Sequence, residues 1–417
     1  LSNKNAILLF HASQLGNNLH PFLVNETSRF QAIFENVYVI CLDAKCGFSE
    51  IEKYNNVHVI SIGLHRLYSK LWYLIPELFS KYFWKDLRLA VSNRIFDMKY
   101  LKITAMQVIC GRYFSKIMKR LIAQKIKSEW VVESYWLTGT AYAAARIKKD
   151  FPDVIAFSRL HSSESDYIRN KYAVCQLKGF VDKYLDYIFF VSENGKTEYE
   201  SIMKKYYHKF ENDDKYIVNR LGVNKTDHDL SPVSSDDQFR VLSCSRMTSL
   251  KRVPILADIM AGWKGRPVEW THIGDGEDYQ TVQKIVRHAH GNAKCKLLGS
   301  MSNTDVINYY KNNAIDLFIN ISQYEGLPVS IMEALSFGVP VLATDAGGTR
   351  EIVSGRNGYL LSGDFCRENV ENAIDYLTKL LPKDRSVLRA EAYRTYMRLL
   401  DADRNFKDLM DIICKEQ

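Results

Sequence analysis

The chain has 417 residues, 47% hydrophobic and 25% charged, which is enough length and apolar content for two domains, each with its own core. That balance excludes a mainly disordered chain, a collagen-like repeat and a disulfide-held miniprotein. The formal charge of +8 is uneven: residues 1–222 hold 32 Lys and Arg against 22 Asp and Glu, and the remainder hold 24 against 26, so the chain is not basic throughout.

In chain order, the start from Leu1 to Phe10 lacks the apolar core and small-residue cleavage site of a signal peptide. No run approaches the roughly 18–20 apolar residues that span a bilayer, so a cytoplasmic protein is expected. Ala6–Phe10, Val37–Cys41 and Val57–Ile60 predict three strands, with Gly16 in the loop after the first. Residues 64–128 form a helical insertion with 14 basic and 3 acidic side chains and eleven aromatics, among them Trp72, Phe79, Phe83 and Trp84. Three readings fit it: a solvated basic face over an aromatic core, a nucleic-acid surface, or an interfacial helix pair on anionic lipid. The apolar run Leu71–Phe79 exceeds what one core-facing stripe needs and favours the membrane surface over nucleic acid. Trp130–Val132, Val154–Phe157 and Tyr187–Val191 resume the strands. Short apolar runs alternating with helical patterns imply βα units and parallel sheets. The eight cysteines, at 41, 46, 110, 175, 244, 295, 366 and 414, form no Cys-x-x-Cys pair and read as reduced, buried thiols.

Residues 224–238 are polar, carry Pro232 and predict the linker. The alternation restarts with Phe239–Ser243, Val268–Ile273, Cys295–Leu298, Asp316–Asn320 and Val339–Ala343, a second α/β domain. Between Asn320 and Pro340 a strand end is followed by a loop with Glu325 and Gly326. A short helix over about 328–337 comes next, with Pro328 at its first turn, Gly338 as its left-handed stop and Glu333 inside it. A helix N-terminus beyond a strand end is a seat for a pyrophosphate, and two carboxylates beside it are expected to accept hydrogen bonds from sugar hydroxyls. Arg246 and Lys251, beyond the end of the first strand of this domain, can share one diphosphate. Gly274-Asp-Gly276, Leu298-Gly-Ser300 and the loop Gly347-Gly-Thr-Arg-Glu351 are weak signals singly and gain weight from their order. In the first domain, His161 follows a strand in Ser158-Arg-Leu-His161.

These motifs together resemble retaining glycosyltransferase family 4, whose members have the GT-B fold, two Rossmann-like parallel-sheet domains facing across a cleft. The resemblance rests on Glu325 and Glu333 as Glu-x7-Glu within EGLPVSIMEALSFGVPVLATDAGGTREIV, on SRMTSLKR, HIGDGE and LLGSMSN in order, and more thinly on HPFLVNE, SRLHSSESDY, FFVSENGK and NRLGV. It is strongest toward bacterial exopolysaccharide and colanic-acid-type transferases and covers most of the chain except 64–128. It implies an acceptor-side domain over 1–223, a linker over 224–238, a donor-nucleotide domain over 239–397 and a final helix, 398–417, crossing back to the first domain. Arg246 and Lys251 would neutralise the donor diphosphate, helped by the amides of Gly326 and Leu327. Glu333 would bind the ribose, Glu325 the transferred sugar, Gly299 the base side, Gly16 the phosphates and His161 the sugar. The family often pairs glycines after the first strand, whereas here Gly16 stands alone in LGNNLHPF.

The implied reaction moves a glycosyl group, with retention, from a nucleoside diphosphate sugar (UDP preferred over a guanosine donor) to a hydroxyl of a glycan acceptor. No resident cofactor or metal is expected, the cations taking the metal's place. The acceptor is expected to be lipid-linked and the protein peripheral at the inner face of the cell membrane. A sugar-nucleotide epimerase and a catalytically silent partner subunit are the alternatives. The first would consume donor without acceptor, and the second would lack a diphosphate cation or a glutamate.

Overall fold

Ala6, Ile7, Leu8 and Leu9 are all inaccessible to solvent, so side chains on both faces of this strand are covered. Such continuous apolar runs form interior strands of parallel sheets, whose two faces both carry helices. The computed structural model describes residues 4–10, 21–43, 50–63, 70–125, 128–161, 164, 170–174, 177–208, 214–224, 230–234, 236 and 238–414, with backbone alone at 21–24, 43 and 50–54. The chain divides into two units, Leu1–Asn219 and Arg220–Gln417.

In the first unit β1 (Lys4–Phe10) is followed by α1 (Pro21–Ile33), β2 (Asn36–Asp43), β3 (Glu50–Tyr54) and β4 (Val57–Gly63). The insertion supplies a 3-10 segment (Leu71–Phe79), α2 (Lys81–Ser92) and α3 (Met98–Gln124). Then come β5 (Glu129–Ser134), α4 (Gly139–Asp150), β6 (Ile155–Leu160), α5 (Lys178–Tyr184), β7 (Tyr187–Phe190), α6 (Glu193–Tyr207) and β8 (Tyr216–Val218). The sheet order is β3-β4-β2-β1-β5-β6-β7-β8, parallel except for the antiparallel β3–β4 pair. The helical insertion is therefore present as expected, and it is mixed in character. Tyr73, Tyr100 and Phe114 are buried, Phe114 in the unit's main core, while Trp72, Phe79 and Trp84 stand exposed.

The second unit contains β9 (Phe239–Cys244), α7 (Val253–Ala261), β10 (Val268–Ile273), α8 (Tyr279–Arg287), β11 (Ala293–Leu297), α9 (Asn303–Asn312) and β12 (Leu317–Asn320). It continues with α10 (Val329–Ser336), β13 (Val341–Thr344), β14 (Gly358–Leu361), α11 (Arg367–Lys379), α12 (Pro382–Leu399) and α13 (Ala402–Cys414). All six strands are parallel, in the order β11-β10-β9-β12-β13-β14. Strand order reverses between β9 and β12, and beyond the carboxyl ends of such a pair an α/β sheet leaves a crevice for a ligand. Where the linker was expected, Ser231 is buried in this unit, its amide donating to Phe337 O and its carbonyl accepting from Arg389 Nη2. Val223 pairs with Asp401, so the segment leading into the unit is tied to the residues between α12 and α13. Among the described residues no disulfide joins the cysteines, and Cys366 is exposed, against the expectation that the thiols are buried.

Candidate active site

Arg246 and Lys251 lie on the connection from β9 to α7, and this connection is fixed from behind by a run of hydrogen bonds. Trp270 Nε1 donates to Ser243 Oγ (2.9 Å), the Ser243 hydroxyl meets His272 Nδ1 (2.8 Å), and His272 Nε2–H donates to Ser245 O (3.2 Å). The carbonyl can only accept, so His272 is the Nε2–H tautomer, and burial lowers its pKa to about 4, keeping it neutral. The turn after β10 presses on the same carbonyl: a Cβ on Gly274 would stand 1.9 Å from Ser245 O, at a φ of 141°. Only glycine fits there. Gly274 N in turn donates to Gly299 O at 2.8 Å. The three strand ends thus enclose an open pocket of about 630 Å³ lined by Arg246, Gly274, Asp275, Ser300 and Met301 among others. Gly299 holds the rim through its backbone, while Ser300 and Met301 form the wall. The Arg246 side chain is exposed, and no described carboxylate pairs with it.

Lys251 reaches across to the other side of the reversal. Its Nζ lies 2.6 Å from Glu325 Oε1, which also accepts from Asn320 Nδ2 at 3.1 Å. Glu325 is buried, so the predicted diphosphate cation and the predicted sugar carboxylate form one ion pair. The turn that carries Glu325 is clamped by the Gly347–Glu351 segment, a 3-10 turn rather than a slack loop. A Cβ on Gly347 would sit 1.8 Å from Glu325 O, and Gly348 N donates to Gly326 O at 2.9 Å. Gly326 and Leu327 lead from this turn into α10. Pro328 caps that helix with extended backbone, one position earlier than the sequence suggested, and Gly338 closes it at a φ of 66°. The N-terminal end of α10, with its partial positive charge, therefore follows directly on Glu325.

Glu333 lies within α10 and is buried, 6% exposed. Its Oε1 accepts from Asn303 Nδ2 at 2.7 Å, at the start of α9, whose N-cap is Ser302. Burial pushes the Glu333 carboxyl up to about 7, and the Asn303 amide only partly offsets it. A buried carboxyl with one amide partner gains from any further hydrogen-bond donor, such as a vicinal diol. Asn303, Asn320 and His272 are site residues that sequence reading missed. Both asparagines stood inside quoted motifs, but only three-dimensional pairing shows their partners.

In the first unit His161 follows β6. Its Nε2–H donates to Tyr135 O at 3.0 Å, leaving Nδ1 as the acceptor, and burial with the nearby Arg159 cation lowers its pKa to about 4. Arg159 is itself buried, donating to Glu133 Oε1 (2.9 Å), Glu26 Oε1 (2.9 Å) and Asn219 Oδ1 (3.0 Å). Burial and the Glu26 charge raise the Glu133 pKa, although Arg159 lowers it. Gly16, the remaining predicted position, lies outside the described residues.

Residues 224–395, the span that holds all of these second-unit features, match the family described as glycosyl transferases group 1. Over 158 residues the chain is 32% identical to the Escherichia coli O-antigen biosynthesis glycosyltransferase WbnH, covering 38% of this chain and 41% of that protein. It is 25% identical over 150 residues to the Erwinia amylovora amylovoran biosynthesis glycosyltransferase AmsD, covering 35% of this chain and 41% of the relative. The matches thus span about two fifths of these curated relatives. Solved structures match over the whole chain: the apo lipopolysaccharide outer core galactosyltransferase WaaB at a TM-score of 0.68 and 16% identity, covering 99% of this chain and 100% of the other. Anabaena HepE in complex with UDP and glucose gives 0.65 and 14%, covering 99% of each. At these identities the likeness establishes the fold, two Rossmann-like parallel-sheet units of the GT-B kind.

Proposed function

We propose that this chain is a retaining glycosyltransferase that moves a sugar from a UDP sugar to a hydroxyl of a lipid-linked glycan acceptor in bacterial surface polysaccharide synthesis. The observation that carries the reading is the Lys251–Glu325 pair at the strand-order reversal, with the start of α10 following it and the open Arg246 pocket on the β9 connection that also bears Lys251. The names of the relatives, which speak of O-antigen and amylovoran biosynthesis, support the pathway, and the UDP and glucose bound by HepE support the donor.

In this reading the base and ribose enter the pocket beside Met301, and Glu333 accepts from the ribose hydroxyls. Arg246, Lys251 and the amides of Gly326 and Leu327 meet the diphosphate. The anomeric C–O bond breaks with its electron pair leaving on the diphosphate, and the sugar develops oxocarbenium-like charge. The cations and the helix end are fixed before reaction and stabilise the leaving charge without reorganising. The acceptor oxygen bonds to the anomeric carbon on the face the diphosphate leaves, and its proton passes to a leaving phosphate oxygen. Glu325 orients the sugar hydroxyls. No metal is required. The test is incubation with a panel of nucleotide sugars, with and without glycan acceptors, scoring donor consumption and the configuration of the product. Consumption without an acceptor would indicate an epimerase or hydrolase, and binding without turnover of any donor would indicate a silent subunit.

A further inference from the structure

Leu71, Trp72, Ile75, Leu78 and Phe79 stand out from the 3-10 segment, Phe79 with 87% of its surface exposed, whereas Tyr73 and Glu77 of the same segment point inward. The Glu77 carboxylate accepts from Arg112 Nε at 2.6 Å and from Tyr142 OH at 2.7 Å, on α3 and α4. A buried charge is tolerated only when its partners are well placed. Here the buried pair locks the segment with its apolar side outward, so the exposure is built in. Trp84 Nε1 donates to Leu78 O at 2.7 Å and joins this ridge to α2. Along α2 the exposed Lys81, Trp84, Lys85, Arg88 and Val91 recur at helical spacing and mix cations with apolar groups. Ten of the nineteen large apolar side chains exposed among the described residues fall within 71–101, so they form a concentration rather than ordinary scatter.

The charges are sorted in the same direction. Of the three acids in residues 64–128, Glu77 and Asp86 are buried, Asp86 accepting from Leu177 N and Tyr207 OH. Asp97 accepts from Lys171 Nζ at 2.9 Å and Tyr172 OH at 2.8 Å. Lys81, Lys85, Arg88, Arg94, Lys99 and Lys102 are all exposed. The described surface of the insertion therefore offers cations and apolar groups but no unengaged carboxylate. A second copy of this face would set cations against cations, which disfavours self-association. An anionic leaflet fits both properties, with rings and alkyl groups at the acyl boundary and ammonium and guanidinium groups at the phosphates. None of the described helices is long and apolar enough to cross a bilayer.

We infer that the 3-10 segment and the exposed face of α2 form a peripheral docking surface for a bilayer rich in anionic phospholipid, with Leu78 and Phe79 inserted. This deepens the lipid-linked acceptor of the proposed function, but it is read by a binding assay that needs no sugar transfer, so the two can fail separately. The assay is vesicle sedimentation with phosphatidylcholine alone and with about one third phosphatidylglycerol. Each cation close to such a surface contributes about fivefold in partitioning. Binding to the anionic vesicles is expected to exceed that to neutral ones by more than about tenfold, and K81S with R88S to lower it by about 25-fold. L78S with F79S should remove the part that survives high salt. Unchanged UDP binding and melting in all four single variants establish that they fold. Equal or negligible binding to both vesicles would overturn the inference. So would self-association in the ultracentrifuge that the same substitutions abolish, which would make the face a contact between copies.

Discussion

Replacing Glu333 by Gln tests whether the proposed ribose carboxylate is held at a cost. The Gln carbonyl keeps the Asn303 hydrogen bond and removes only the ionisation. With the carboxyl pushed from an ordinary 4.5 to about 7 by burial, its ionised form is disfavoured in the unliganded protein by about 3 kcal/mol. Folding raises this pKa, so the carboxyl's favourable contribution is fully present below pH 4.5, declines through the interval and is gone above pH 7. The unliganded variant should therefore match the parent near pH 4.5 and exceed it at pH 8 by up to about 3 kcal/mol, several degrees in the unfolding of a unit this size. Calorimetric melting at pH 5, 6, 7 and 8 reads this directly. Saturating UDP should reverse the order, because the parent gains hydrogen bonds from the ribose that the amide accepts less strongly. A variant no more stable than the parent at every pH would refute the reasoning, since it would mean that the carboxylate is already compensated in the empty site.

Arg246→Ala should weaken UDP binding by about 1.5–3 kcal/mol, the scale of a charged hydrogen bond, with little change in melting; undiminished calorimetric affinity would remove Arg246 from the site. Glu325→Gln should release Lys251 to the diphosphate, so UDP binds at least as tightly while sugar transfer falls. Parallel losses of affinity and transfer would instead place Glu325 on the nucleotide. Transfer should continue in EDTA, and a full loss restored by Mg²⁺ or Mn²⁺ would refute stabilisation of the leaving group by side chains alone.

All but one of the strands that sequence reading found, the edge strand β11, are interior, where a run such as Ala6–Phe10 or Trp130–Val132 must be apolar on both faces. The strands it missed, β3, β8 and β14, are all sheet edges, three of the four in the molecule's two described sheets. Edges can be short and polar, and Glu50–Tyr54 and Tyr216–Val218 carry too little apolar pattern to stand out. At the candidate site, Arg246, Lys251, Glu325 and Glu333 stand out in the sequence because strand ends, a helix start and charged residues coincide along the chain. Their pairings do not. Asn303 and Glu333 are 30 positions apart, and Lys251 and Glu325 are 74 apart, so only the sheet's crossover brings them together. The exposure of Trp72 and Phe79 was partly legible, because the run Leu71–Phe79 is more apolar than one core-facing stripe needs; that Tyr73 of the same run is buried was not.

The clasp between Gly347 and the Glu325 carbonyl has a bearing on attempts to re-engineer the proposed sugar site. The approach leaves no room for a side chain at position 347, and the Gly348 amide ties the two segments together through Gly326 O. A donor loop spliced in from a relative with a different hexose should misfold locally if only residues 320–328 are exchanged, because the recipient's second segment would not match its path. Exchanged together with residues 345–351, the pair travels as a single cassette, which makes this pairing the natural unit of exchange if the proposed function holds.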